Sequence, residues 1–395
     1  MTAITNPSVA TKIKSSFKLS DLLNFFMLMS TFTFFLVLPV RNVVLRHAVV
    51  FLGTLPFYFL AIKRLFSTKF KKAPLLRLVI MLLIIIFGIL ATSEEITWQL
   101  IYASLNFYSF FVFVSTDNKL VLSEFVNKWS KLIFTSIALL LIIYSQSSIA
   151  YVFEDGVETG ALVLGMTNPN LTGILIFGVF SMLLIHLDNM RYKFVIMAIM
   201  VGLFYLVCLT QSRSSLLAII LLLVYAFFYK NKRLPSYVVV LTIITPIIFV
   251  FIYLQLYFAG FEDFVFMGKD FFSGREHKFI SVLQAMQTPL NILFGSFADV
   301  VFKCENAPLA IMGSIGVVGA SLFYWNLYQR LMLLNRVDGV KMVRLALVCI
   351  LCVCLQTSGE ATMFTGVFPT SSFMYFYFLM ASLSNNNHSG DYICK

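Results

Sequence analysis

Charged residues are scarce in this sequence: Asp, Glu, Lys and Arg make up 12% of its 395 residues, whereas hydrophobic residues make up 60%. In a soluble domain only about half of the residues are apolar. The composition therefore excludes an ordinary soluble globular protein. Segments of about ten residues that alternate between apolar and polar are also absent, which excludes a transmembrane barrel.

Cysteine and histidine are also rare, with six and four residues respectively. Cys349 and Cys352 have the spacing of a redox or zinc pair, but they lie in an apolar run without a histidine nearby. Packing is the expected role for such cysteines. His277 has no second metal ligand close to it in the sequence. We therefore expect no disulfide framework, no metal and no other cofactor.

Long apolar runs recur along the whole chain, and each is long enough to cross a hydrocarbon core of about 30 Å as a helix. The sequence predicts an all-α, polytopic integral membrane protein with one membrane domain over residues 1–395, about 12 transmembrane helices and one large external loop. The stretch 342–383 also fits a single kinked re-entrant pair. The predicted spans are 19–40, 46–62, 75–91, 96–115, 131–146, 168–186, 192–210, 213–229, 236–258, 306–329, 342–356 and 365–383.

The net charge of +11 would suit a nucleic-acid-binding protein, but the distribution of basic residues argues against that function. With the N-terminus inside, most basic residues fall on one face, as the positive-inside rule expects. This pattern predicts cytoplasmic N- and C-termini and contact with anionic lipid headgroups, with no nucleic-acid partner. The opposite face has only Arg41, Arg46, Arg213, Lys269, Arg275, Lys278 and Lys303.

No ionisable residue falls in the middle third of any predicted span. Ion-coupled transporters and pumps usually need such groups at mid-membrane. Their absence favours chemistry or binding at one face of the membrane. A flippase with a hydrated polar cavity stays open as an alternative.

The large external loop covers residues 259–305 and is predicted to hold an amphipathic helix. Ser273 and Glu276 have the spacing of a capping box, and Pro289 should lie beyond the end of the helix. Loops of this length inside compact proteins are usually functional or disordered, and the many aromatic residues argue against disorder. Apolar residues recur at helical spacing at Phe279, Val282, Leu283 and Met286.

Candidate functional residues gather on the external face. Arg213 follows Ser212 at the outer boundary of two spans, where it is either a snorkelling interface arginine or a phosphate ligand. Asn170 lies near the start of a span, where asparagine caps a helix well. The glycines at 313, 316 and 319 suit close helix packing. The other candidates on this face are Arg275, Glu276, His277, Glu305, Asn306 and Glu360.

Three short motifs between residues 165 and 320 resemble those of bacterial O-antigen polymerases and the related O-antigen ligases. Asn168-Pro-Asn170 resembles the start of a span in this family, and Ser212-Arg213 resembles its S-R-S motif. Ser273-Gly-Arg275, followed by Pro289 and Phe294-Gly295, resembles its external-loop signature. Ligases usually have a histidine where this chain has Cys304-Glu305 before Asn306, which weakens the ligase alternative.

The resemblance implies glycosyl transfer at the periplasmic face of a bacterial inner membrane. A growing glycan would move from undecaprenyl pyrophosphate to a sugar hydroxyl of another undecaprenyl-linked repeat unit, and a chain-length regulator would be a further partner. Glu305 is the expected base in place of the histidine. The alternatives are an O-antigen ligase and a flippase for lipid-linked oligosaccharides. The expected catalytic residues are Glu305, Arg213 and Arg275, and the expected substrate-binding residues are Arg213, Arg275, Asn168, Asn170, His277 and Asn306.

Overall fold

A computed structural model describes most of the chain, and the described part is mostly helical. Of the candidates named above, Ser273 and Glu360 lie outside the described residues, as does the predicted span 19–40. The described residues are 43–67, 72–90, 98–115, 124–147, 151–154, 157–165, 168–229, 232–261, 265–266, 269–270, 272, 274–298, 301, 304–337, 340–359 and 370–383.

The structure has a helix that overlaps each predicted span from 46–62 to 365–383. The helices are α1 (Val43–Ser67), α2 (Lys72–Leu90), α3 (Trp98–Ser115), α4 (Glu124–Tyr144), α5 (Pro169–His186), α6 (Lys193–Thr210), α7 (Arg213–Val224, continued by a π-turn at Tyr225–Tyr229), α8 (Ser236–Phe258), α9 (Arg275–Ala285), α10 (Pro289–Phe294), α11 (Ala307–Arg336), α12 (Lys341–Gln356) and α13 (Thr370–Leu383). Two short antiparallel hairpins pair β1 (Tyr151–Glu154) with β2 (Val157–Leu162) and β3 (Val265–Phe266) with β4 (Lys269–Asp270).

Several of these helices could span a membrane. Within the described residues, four are long and apolar enough by length and composition: Pro169–Asn189, Lys193–Thr210, Ser236–Phe258 and Ala307–Arg336. Shorter apolar helices accompany them at Leu75–Leu90, Leu100–Ser115, Trp129–Tyr144 and Arg213–Tyr229. The chain is therefore suited to a lipid bilayer.

Helix α5 forms the centre of the bundle. Every residue from Thr172 to His186 is buried, and 83% of its membrane-length window lies inside the protein. A helix that is apolar all round must be enclosed by other elements or by lipid. Here α4, α6, α7, α12 and α13 pack around it.

The outer helices present apolar side chains to their surroundings. Only 39% of the membrane-length window is buried in α6 and in α8, and side chains such as Phe194, Val201 and Phe251 are exposed. Contiguous apolar surface of this extent is rare on soluble proteins. These faces are chemically suited to lipid chains.

The segment 259–305 contains the predicted helix, α9, but its start differs from the prediction. The N-cap is Gly274 in the left-handed region (φ 76°), without a side-chain cap, so Glu276 is one position too early for a capping box. Phe279, Val282 and Met286 are buried, as the predicted stripe requires. Leu283 is 42% exposed, so the buried face is narrower than predicted.

Aromatic contacts fix α9 against the end of α8. The Tyr253 hydroxyl donates to the Phe272 carbonyl, and the Tyr253 ring lies 5.3 Å from that of Phe279. Aromatic pairs of this kind add about 0.5–1.5 kcal/mol beyond the area that they bury. The loop therefore has its own packed contacts and holds its helix in a fixed place.

Helix α11 is interrupted at Gly316, which has φ 65° and ψ −179°. This backbone region is essentially restricted to glycine. The backbone of Leu293 and Phe294, at the end of α10, lies against Gly316 so closely that a Cβ there would collide with it. The N–H of Ser296 donates to the Gly313 carbonyl (2.8 Å), a group next to the interruption.

The glycines at 313, 316 and 319 thus permit close packing, as predicted, but they also allow a break that the spacing did not predict. Gly295 has φ 79° and ψ 176° and faces the Ser314 backbone. The Phe294-Gly295 turn therefore docks into the interrupted helix through two glycine contacts. This contact joins α10 to the interrupted part of α11.

Candidate functional site

The N-P-N motif forms the start of α5. Asn168 is the N-cap, and its Oδ1 accepts the backbone N–H of Asn170 at 2.8 Å, while Pro169 takes the first helical position. The capping residue is therefore Asn168 and not Asn170, which corrects the sequence interpretation. Both asparagines are partly buried, and the Asn170 side chain has no role in the cap.

The S-R-S motif starts α7 beside α5. A Cβ on Gly173 would lie 2.6 Å from the Cβ of Ser212, so the absent side chain allows the two helices to approach. Asn170 precedes Gly173 by three residues and therefore lies on the same face of α5, one turn nearer its start. Asn170 and Arg213 therefore lie at the same end of the bundle, about one helical turn apart along its axis.

Glu305 is held by two basic side chains of α9. Its Oε2 accepts from the Nε of Arg275 at 2.7 Å, and its Oε1 accepts from the ammonium of Lys278. Arg275 and Lys278 are three residues apart, so they share one face of the helix. The structure therefore joins α9 to the start of α11 through a carboxylate with two cationic partners.

The electrostatics of this cluster bear on the predicted base. Burial alone would raise the pKa of the Glu305 carboxyl, but the hydrogen bonds and charges of Lys278 and Arg275 outweigh it and hold that pKa below its ordinary value. A carboxylate stabilised in this way is a weak proton acceptor. The geometry therefore favours a counterion role for Glu305 over the base that its sequence position suggested.

Arg213 and Arg275 lie close enough for their charges to interact. Each is the first residue of its helix, with Ser212 and Gly274 as the N-caps. A helix N-terminus is the positive end of the helix dipole, so a cation there is disfavoured by about 0.3–1 kcal/mol. Two mutually repelling arginines at two such ends form a strongly electropositive spot, which suits an anion.

The end of α12 completes the surroundings of this spot. The Gln356 amide donates to the Ser215 hydroxyl on α7 (3.3 Å). Two residues on, the Ser358 carbonyl accepts from Asn306 at 3.1 Å. The end of α12 therefore contacts the first turn of α7, which begins with Arg213. It also contacts Asn306, the N-cap of α11, which directly follows Glu305.

Asn306 is completely buried and has a structural role. Its Oδ1 caps α11 by accepting the Leu309 N–H (2.9 Å), and its amide donates to the carbonyls of Pro246 (3.0 Å) and Ser358. Both amide hydrogens are used, so no donor remains for a ligand. We therefore correct the predicted role of Asn306 from substrate binding to a tie between α8, α11 and α12.

His277 lies apart from the cluster. Its side chain is 74% exposed, and it contacts Glu276 (3.4 Å) and the ring of Tyr257 instead of Glu305. The predicted substrate-binding role is therefore not supported for this residue. Glu276 itself is buried, and one of its carboxylate oxygens has no hydrogen-bond partner.

Sequence reasoning missed Lys278 and Gln356. The signal for Lys278 was its three-residue spacing from Arg275 on a helix that was itself predicted. Gln356 gave no such signal, because it only continues an apolar span and its partner is 141 residues away. Local patterns can thus identify residues that share a helix face but not contacts between distant helices.

The described part of the chain contains no group of three or more His, Cys, Asp or Glu side chains that could hold a metal. Cys208, Cys304, Cys349, Cys352 and Cys354 are free thiols, and the last three are buried in α12. No protein-family model, curated protein or solved structure matches this chain.

Proposed function

We propose that this chain is a polymerase of lipid-linked oligosaccharide repeat units, such as those of O-antigen. The observation that carries the proposal is the pair of neighbouring arginines, Arg213 and Arg275, at the positive ends of two helices. Lys278 adds a third cation to the cluster. Such a spot fits the diphosphate of a lipid-borne sugar, and Arg213 supplies a fork suited to bidentate phosphate contact.

In the proposed reaction, the hydroxyl oxygen of the acceptor repeat bonds to the anomeric carbon of the growing glycan. The bond from that carbon to the diphosphate oxygen breaks, and undecaprenyl pyrophosphate leaves with the electron pair. The acceptor proton passes to solvent or to a nearby base. The arginines lower the barrier by offsetting the charge that develops on the leaving diphosphate. Attack from the side opposite the leaving group would invert the anomeric centre.

The proposed setting follows from the chain's apolar helices and its charge distribution. About twelve crossings of a bacterial inner membrane, with cytoplasmic termini, would put the starts of α7, α9 and α11 at the periplasmic surface. The diphosphate of a prenyl-linked sugar lies at the same headgroup level. A chain-length regulator is a further proposed partner. The resemblance of Asn168-Pro-Asn170 and Ser212-Arg213 to the polymerase and ligase motifs supports this assignment.

The test is the glycolipid profile of a strain that lacks the gene and is complemented with variants. Arg213→Lys keeps the charge but loses the fork, so we expect polymer to fall by about 10²–10³-fold, the effect of one lost transition-state donor. Arg233→Lys is the matched control, because Arg233 is exposed and lies beyond the opposite end of α7. Equal loss in both variants would contradict the proposal.

The same profile separates the alternatives. Loss of all attachment to the lipid A core, with long undecaprenyl-linked polymer still made, would identify a ligase. Accumulation of repeat units on the cytoplasmic face would identify a flippase. The break in α11 does not favour transport, because the backbone of Leu293 and Phe294 fills it, whereas transporters use unwound backbone to line a binding site.

A further inference from the structure

Glu305 holds a position that an anionic ligand would also take. Its two oxygens each bind one cation, Arg275 at 2.7 Å and Lys278 on the other side. The side chains of Arg275, Glu305 and Lys278 are 21%, 23% and 40% exposed, so the cluster is partly open to its surroundings. A ligand oxygen can therefore reach these cations only in competition with a carboxylate that is already there.

The charges of the cluster determine which ligands can compete. Its ion pairs join two cations, Arg275 and Lys278, to one carboxylate, and Arg213 is near enough to Arg275 for their charges to interact. A monoanion that displaced Glu305 from its partners would replace one negative charge with another and gain little. An anion with two or more charges would balance both Arg275 and Lys278, because attraction in a partly desolvated site grows with the charge of the ligand.

We infer that Glu305 is a built-in counterion that makes this cluster selective for ligands with at least two negative charges. It acts through Arg275 and Lys278 and is therefore a positioning residue. It keeps the two side chains oriented and blocks weak anions such as single phosphodiester headgroups of the surrounding lipid. Diphosphate diesters are the ligand class that meets the charge threshold. This identity rests on the proposed function, whereas the selectivity itself rests only on the ion pairs.

The experiment measures anion binding to the purified full-length protein in detergent by titration calorimetry, without any glycan. The probes are inorganic pyrophosphate, with at least two charges, and dimethyl phosphate, with one. We compare the natural protein with Glu305→Gln, which keeps the shape and removes the charge, and with Glu305→Asp, which keeps the charge. Arg233→Gln is the control for a cation outside the cluster. Thermal unfolding verifies that each variant is folded.

We expect the natural protein to bind pyrophosphate and to show no measurable binding of dimethyl phosphate. Glu305→Gln should bind pyrophosphate about tenfold more tightly, equivalent to about 1.4 kcal/mol, and should also bind dimethyl phosphate. Glu305→Asp should keep the discrimination of the natural protein, and Arg233→Gln should leave all affinities unchanged. A residue that served only to hold the fold would not change the ratio of the two affinities.

Unchanged or weaker pyrophosphate binding in a folded Glu305→Gln protein would overturn the inference and leave the proposed function standing. Absence of pyrophosphate binding in both proteins would also overturn it. Conversely, the expected affinities together with an unaltered glycolipid profile in the deletion strain would support the counterion and reject the polymerase. The two failures are therefore distinguishable.

Discussion

Arginines occur at both ends of α11, and the two ends use them in opposite ways. Near its C-terminal end, Arg344 donates to the Asn335 carbonyl at 2.7 Å, and Arg64 donates to the Phe113 carbonyl at 2.7 Å. Both acceptors lie in the last turn of a helix, and both arginines are only 1% exposed. Near the N-terminal end, Arg213 and Arg275 are partly exposed and begin helices.

The difference separates arginines at the negative end of a helix dipole from arginines at its positive end. The last carbonyls of a helix lack intrahelical partners and form the negative end of its dipole, so a cation there satisfies both. The first turn offers a cation neither benefit. The helix ends thus explain Arg64 and Arg344, whereas at Arg213 and Arg275 the helix ends disfavour a cation, and Arg275 is compensated by its ion pair with Glu305.

The break in α11 separates these two ends, and removing it should have the largest effect. Gly316→Ala puts a Cβ into the backbone of Leu293 and Phe294 and forces alanine into a glycine-only conformation. That conformation alone costs about 1–3 kcal/mol, and the collision adds to it. We expect little folded protein in detergent, measured by size-exclusion chromatography and thermal unfolding.

The control for this prediction is Gly274→Ala. Gly274 also has a positive φ, but a Cβ there meets nothing within 4 Å. It should lose only about 1–2 kcal/mol, the cost of the left-handed conformation. Equal losses at positions 274 and 316 would show that the contact between α10 and α11 contributes nothing.

Replacing one arginine at each end by methionine tests the comparison directly. Arg344→Met leaves the buried Asn335 carbonyl without this donor, at about 1–3 kcal/mol, whereas the Asn335 Oδ1 keeps the Leu234 N–H as a donor. Arg213→Met removes a cation that the helix dipole disfavours by about 0.3–1 kcal/mol, so its loss of stability should be smaller than that of Arg344→Met. The fall in melting temperature should therefore be larger for Arg344→Met than for Arg213→Met. A larger loss for Arg213→Met would invalidate the comparison.

Variants of Asn306 test whether this residue, at the N-terminal end of α11, stabilises the fold or binds substrate. Asn306→Ala leaves two carbonyls and one N–H without their partner, so we expect a loss of about 2–3 kcal/mol. Asn306→Asp retains the cap on Leu309 but puts a buried carboxylate oxygen against the two carbonyls, so its loss should be at least as large. Unaltered thermal stability with lost polymer in both variants would restore the substrate-binding role.

The sequence predicted the helices better than the site. Apolar runs located the helices because burial in lipid or protein requires them, and the N-P-N motif located the start of α5, although the cap is Asn168 instead of the predicted Asn170. The capping box failed because Gly274 could adopt the left-handed region and start α9 later. The sequence could not show that both amide hydrogens of Asn306 are bonded, or that α11 is interrupted at Gly316. The groups that contact these two residues come from other segments of the chain.

The smallest expected effect concerns acid stability at the N-terminal end. The pKa of Glu305 is lower in the folded chain than the ordinary value of about 4.3, so its ion pairs stabilise the protein above that value. This contribution is lost as the pH falls through the folded pKa, when the three cations repel one another without a counterion. The melting temperatures of natural protein and Glu305→Gln, compared from pH 7 to pH 3, should therefore converge at the acid end. A difference that stays constant over this range would mean that the carboxylate contributes by shape alone, and would remove the electrostatic distinction between the two ends of α11.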